Sequence, residues 1–102
     1  MPTEKISIAA PRGIPAKMVS EYADRCRSAL PVAKTALDQS DHEHLRVFGH
    51  RLSGTGGAYG IPALTQAGAA IEAAARRGDA AELRRQVTAL EAYLSQIEIV
   101  SG

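Results

Sequence analysis

The sequence predicts an all-α protein, an antiparallel up-down four-helix bundle with a short N-terminal arm. Three observations lead there. Apolar residues recur three or four positions apart through four successive segments, the spacing that gathers side chains on one helical face. Two segments open on helix-start arrangements, Ser40-Asp41-His42-Glu43 and Asp79-Ala80-Ala81-Glu82. Proline or glycine stands at the breaks, and the connections are short, so an up-down bundle is the simplest way to bury four stripes together.

Residues 1–13 form the arm. Ile6 and Ile8 alternate with polar neighbours before Pro11 and Gly13, an extended pattern expected to pack on the domain edge. From Ile14 the period changes: Ile14, Met18, Tyr22, Cys26, Leu30, Ala33 and Leu37 share one face. Pro31 removes one backbone donor inside this run, and the stripe keeps its phase across it, so a kink is expected rather than two helices. Ser40 as N-cap with Glu43 three residues on makes a capping box, opening a second helix with Leu45, Phe48 and Leu52 inward. If that helix persists through its glycines, Gly56 and Tyr59 continue the same face. Gly60-Ile61-Pro62 then breaks the chain, with Pro62 suited to a first helical position. The third helix buries Leu64, Gly68, Ile71 and Ala75 and closes at Arg76-Arg77-Gly78, basic residues and then glycine at a C-terminus. The fourth, capped by Asp79, carries Leu83, Val87, Leu90, Leu94 and Ile97. The bundle is placed at residues 14–98, with Glu98–Gly102 expected to fray and 99–102 assigned as a tail.

Bulk properties narrow the function. A chain of 102 residues is one small domain, too small for a nucleotide lobe plus a substrate lobe. A formal charge of +1 and only four aromatic residues give no case for nucleic acid or an acidic membrane surface. The single Cys26 excludes an internal disulfide and a multi-cysteine zinc site; on the apolar stripe it is expected as a small core residue. The first thirteen residues lack the apolar run of a signal peptide, and no segment reaches the ~20 apolar residues of a membrane span. A cytoplasmic monomer is expected, and Met1 with the short arm points to a stand-alone protein.

Residues 49–60 read GHRLSGTGGAYG. As a loop, this stretch could grip phosphate, but a P-loop needs a preceding strand and a following Lys-Ser/Thr, and a dinucleotide fingerprint needs strands on both sides. Neither context is present. On a helix, at about 100° per residue, Leu45, Phe48, Leu52, Gly56 and Tyr59 gather on one side and His50 falls almost opposite, in solvent. Arg46, Val47, Ser53 and Gly54 neighbour it on its face, with Gly57 two turns along. Gly54, Gly56 and Gly57 together give up roughly 2–3 kcal/mol against alanine. Gly56 faces inward, where packing explains it; Gly54 and Gly57 face outward, where packing does not. Either the helix unwinds at Gly54, or something must come close to His50. A neutral imidazole is a nucleophile near pH 7, and phosphoryl transfer demands in-line geometry and close approach.

His50-Arg51-Leu52-Ser53-Gly54-Thr55-Gly56-Gly57-Ala58-Tyr59-Gly60 resembles the signature of the histidine-containing phosphotransfer (HPt) domain family, His-x-Leu-Lys-Gly followed by small residues and a later glycine. Leu64, Gly68, Ile71-Glu72-Ala73-Ala74 and Gly78-Asp79 are similar to the family's next helix and turn; the resemblance covers about residues 40–97. It implies a four-helix bundle whose His50 carries a phosphoryl group on Nε2, exchanged with the aspartate of a response-regulator receiver domain or received through a histidine kinase. It implies no ATP site and no cofactor of the carrier's own, with Mg expected only in the partner receiver. Leu52, Gly56 and Gly60 fill the motif's packing positions. One departure stands out: the family has lysine three residues after the histidine, and this chain has Ser53. Arg46 could supply the missing charge and Ser53 a hydrogen bond, with Gly54 and Gly57 clearing the partner's approach.

Other candidates are weaker. His42, Glu43 and His44 invite a metal, but i, i+2 histidines point apart on a helix, unlike the i, i+4 pair of a helical zinc site. Arg76-Arg77 and Arg84-Arg85 read as helix-dipole partners or solvated charges. Two functions of different kinds stand: a phosphocarrier using His50, and a non-catalytic helical adaptor that docks receiver or kinase domains. A purely structural bundle leaves Gly54 and Gly57 unexplained.

Overall fold

A computed structural model describes residues 4–101; residues 1–3 of the arm and 102 of the expected tail lie outside the described residues. The order of elements is β1 (Ile6–Ala9), α1 (Ala16–Asp38), α2 (His42–Gly56), α3 (Pro62–Arg77), α4 (Ala80–Gln96) and β2 (Ile97–Val100). The four helices form the expected bundle, each packed on its neighbours in a closed ring, with α2 and α3 the most intimate pair.

In α1 the chain runs through Pro31 as one helix, burying Val19, Tyr22, Ala23, Cys26, Leu30, Ala33 and Ala36. Met18 is not in the stripe: it is 49% exposed. The helix begins only at Ala16, and counting back three residues from Tyr22, rather than four, puts Val19 in the core. Ser40 is not the cap of α2. Its amide bonds to Leu37 O at 3.1 Å and that of Asp41 to Ala36 O at 2.8 Å, the paired closure of a Schellman motif. That closure puts Ser40 in the left-handed region at φ 53°, whereas an N-cap residue needs extended backbone. Asp41 caps instead, its carboxylate accepting from the His44 amide at 3.0 Å.

Helix α2 continues through Gly54 and ends at Gly56, so the unwinding alternative does not hold. Pro62 opens α3, Gly78 closes it in the left-handed region, and Asp79 caps α4. Leu83, Val87, Leu90 and Leu94 of α4 and Ile97 of β2 are all buried.

The arm is extended as expected, and the C-terminal segment does not fray. β1 and β2 pair in parallel, with Ile6 opposite Ile97 and Ile8 opposite Ile99. The strand thus takes in Ile99 and Val100, assigned above to a tail. Ile97 is buried and Ile99 packs on the core, and the Arg27 guanidinium donates to Leu94 O at 2.9 Å and Ile97 O at 3.0 Å. Those bonds cap the end of α4 and hold the strand that follows. Apolar alternation of period two, masked by its brevity, was the signal.

Three glycines set the α2–α3 distance. A Cβ on Gly49 would sit 2.6 Å from both Glu72 N and Gly68 O, one on Gly68 2.6 Å from Gly49 O, and one on Gly56 2.6 Å from Thr65 N. Backbone meets backbone along this seam, and the side chains at its rim are brought together.

Candidate functional site

His50 projects from the outer face of α2 with its side chain 71% exposed. Around it the surface is bare. A Cβ on Gly54 would meet nothing within 4 Å, and one on Gly57 only Thr65 Oγ1 at 3.4 Å. The costly outward glycines therefore leave open space beside the ring.

The ring has one side-chain partner among the described residues. Its Nδ1 lies 3.2 Å from Oε2 and 3.3 Å from Oε1 of Glu72 on α3. Glu72 is only 17% exposed, and its Oε2 also accepts from Arg76 Nη2 at 2.8 Å. The Arg76 hydrogen bond, aided by His50 and opposed by partial desolvation, holds the Glu72 carboxyl below the usual carboxylate range. An ionised carboxylate only accepts hydrogen bonds, so Nδ1 must be the donor. This assigns the tautomer: the proton sits on Nδ1, and the Nε2 lone pair faces outward.

The other residues singled out in the sequence fall around this pair. Arg46 lies one turn before His50, but its guanidinium is committed to Glu43, with Nε 2.8 Å from Oε1 and Nη2 on Oε2. Ser53 is half-buried at the seam, its amide nitrogen facing Gly68; among the described residues its hydroxyl makes no hydrogen bond to His50. Leu52 is in the core. Gly60 turns at φ 77° with a Cβ position 2.9 Å from Pro11, where the arm crosses the α2–α3 turn.

Glu72 is the residue that sequence reasoning missed as a site member. A signal existed: between Pro62 and Ala75 it is the sole charged residue. It also stands one turn after Gly68, the glycine that lets α3 touch α2. Arg76, taken above as a helix-end charge, belongs with it. By contrast Arg85 pairs with Glu82, and Arg77 lies 3.8 Å from Asp79. His42 and His44 do not converge with other donors, and the described residues hold no group of three or more potential metal ligands. Cys26 is buried, and burial pushes its thiol up.

On the other flank of α2, facing α1, lies an open groove of about 780 Å³. Val47, Phe48 and Arg51 line it from α2, and Tyr22, Ala29 and Val32 from α1. Two of its lining residues, Val47 and Arg51, stand three before and one after His50 in the chain. No helix among the described residues is long and apolar enough to cross a membrane.

Comparison with known families gives one result. The Hpt domain family model matches residues 17–99. No curated protein and no solved structure matches significantly.

Proposed function

Because the chain belongs to the Hpt domain family of phosphorelay carriers, we propose that its phosphoryl group is carried on Nε2 of His50 and exchanged with the aspartate of a receiver domain. The observation that carries this reading is the ring itself, 71% exposed, bonded by Glu72 at Nδ1 and with no hydrogen-bond partner at Nε2 among the described residues.

The chemistry needs no proton to leave the site. The Nε2 lone pair attacks the phosphorus of the partner's aspartyl phosphate; the P–N bond forms, the P–O bond breaks, and the aspartate carboxylate departs. The ring becomes a phosphoimidazolium with its proton still on Nδ1, and Glu72 opposes the new positive charge. In reverse, an aspartate oxygen attacks, the P–N bond breaks, and the electron pair returns to Nε2. Because Nδ1 kept its proton, the leaving group is neutral imidazole rather than an imidazolate. Any magnesium ion belongs to the receiver, which also brings the acceptor carboxylate. The exposed Val32 and the groove beside it supply apolar surface for docking. In this reading the carrier is a cytoplasmic monomer.

One feature favours a second reading, a docking adaptor that relays nothing: Ser53 puts no cation three residues after His50, where the family has lysine. Incubation with a phosphorylated receiver or a kinase separates the two. The carrier acquires acid-labile, base-stable label, and His50→Gln acquires none. Label absent from the unmodified protein across several partners, or retained in the variant, overturns the carrier.

A further inference from the structure

We infer that Arg76 is a positioning residue for His50, acting through the shared Oε2 of Glu72 and standing in for the cation that position 53 lacks. The inference rests on the carrier reading but is tested separately from it.

The geometry is specific. One oxygen, Oε2, lies 3.2 Å from the imidazole Nδ1 and 2.8 Å from the Arg76 guanidinium. A glutamate side chain has three rotatable bonds, and a single contact with an exposed ring would leave it mobile. The second contact, from one turn along the same helix, fixes the carboxylate on the side facing α2. The seam glycines fix the backbone, and Arg76 fixes the side chain. Arg76 also tempers the charge. An unpaired carboxylate beside the ring would repel an arriving phosphoryl group and compete for the Nδ1 proton. A guanidinium on the shared Oε2 offsets both.

No other cation near the ring is as well placed. Arg46 is held by both oxygens of Glu43, Arg77 faces Asp79, and Arg51 lines the groove toward α1. Arg76 is also the only basic residue bonded to the carboxylate that His50 itself bonds among the described residues.

An ordinary exposed ion pair contributes little, so the test must separate positioning from stability. In the full chain, Arg76→Ala and Arg76→Lys are compared by ¹H–¹⁵N NMR of the ring and by single-turnover transfer from a phosphorylated receiver. The alanine variant should keep its thermal midpoint, shift the ring toward the Nε2–H tautomer, and lose transfer by about tenfold, the low end of what outer partners of metal-bound histidines command. Lysine should restore much of both. An unchanged tautomer and rate in Arg76→Ala reduce the residue to a surface ion pair and overturn the inference. A slower rate with an unchanged tautomer assigns Arg76 to partner docking, which overturns it equally. If the unmodified protein accepts no phosphoryl group, the carrier reading fails, while the tautomer shift still decides the role of Arg76.

Discussion

The two flanks of α2 are built in opposite ways. Toward α3 the contact is backbone on backbone: Gly49, Gly56 and Gly68 leave no room for a Cβ. Toward α1 the contact is made by large side chains, with Tyr22 stacked at 4.1 Å on Tyr59 of the turn that follows α2, and the surface above stays open as a groove of about 780 Å³. A seam of glycines transmits position with little play, since atoms on both sides are fixed to main chain. A seam of side chains can adjust. The precise side holds the carboxylate bonded to His50, and the adjustable side carries the open apolar groove. In the carrier reading, one helix thus separates the orienting of a nucleophile from the reception of a partner.

The largest break comes from filling the precise side. Gly68→Val drives branched carbons into the Gly49 carbonyl and the Leu52–Ser53 backbone. Overpacking costs typically 1–3 kcal/mol, and with main chain on both sides relief requires the helices to part, so a loss of about 3 kcal/mol is expected in urea unfolding. Separation also carries Glu72 away from the ring, so transfer should fall further than the lost stability explains. A valine tolerated with stability and transfer intact would show that the seam is not rigid.

Gly54→Leu sharpens the contrast from the exposed face. No atom lies within 4 Å of a Cβ there, and replacing glycine within a helix gains up to about 1 kcal/mol. The variant should be at least as stable as the parent. Yet transfer should fall at least about tenfold, because a displacement of about 1 Å in reacting geometry can cost ~10²-fold. Stability and transfer then move in opposite directions, the signature of space kept clear for a partner. Unchanged transfer would remove the close-approach explanation for this glycine.

How much of this was legible in the sequence follows the range of the interactions. Periodicity placed four helices, because burial of one face writes itself every three or four residues. Asp79, Pro62 and Gly78 were legible because capping is local chemistry. Ser40 misled because two local rules overlap in Ser40-Asp41-His42-Glu43: the end of α1 required a left-handed residue, and that demand displaced the cap to Asp41. Ile99 and Val100 were assigned to a tail because a four-residue strand has too few alternations to stand out, and its partner lies at the far end of the chain. His50 was legible from the glycines beside it. Glu72 was not recognised as a site residue, since only the meeting of Gly49 with Gly68 brings it to the ring, and a single chain does not announce which faces touch. The motif points to His50; the packing reveals the carboxylate bonded to it.

The smallest effect probes the adjustable side. The Tyr22 hydroxyl lies 2.7 Å from Thr55 Oγ1, and burial against α2 pushes its pKa up from 10.0 to about 12. Desolvation is the largest cause, and the Thr55 hydrogen bond pulls the other way. The folded pKa is raised, so the folded state disfavours the phenolate relative to the unfolded chain. The stability this represents is whole below pH 10 and falls as pH rises toward about 12. Urea midpoints followed across that window should decline in the parent protein. Tyr22→Phe lacks the titrating group and should decline less, while losing only the Thr55 hydrogen bond, about 1 kcal/mol, at neutral pH. Phosphotransfer at neutral pH should barely change, because phenylalanine keeps the ring that lines the groove and leaves Glu72 in place. Parallel midpoint curves for the two proteins would mean that α1 opens to water readily at this level, and the contrast between the flanks of α2 would then be one of mobility as well as of packing.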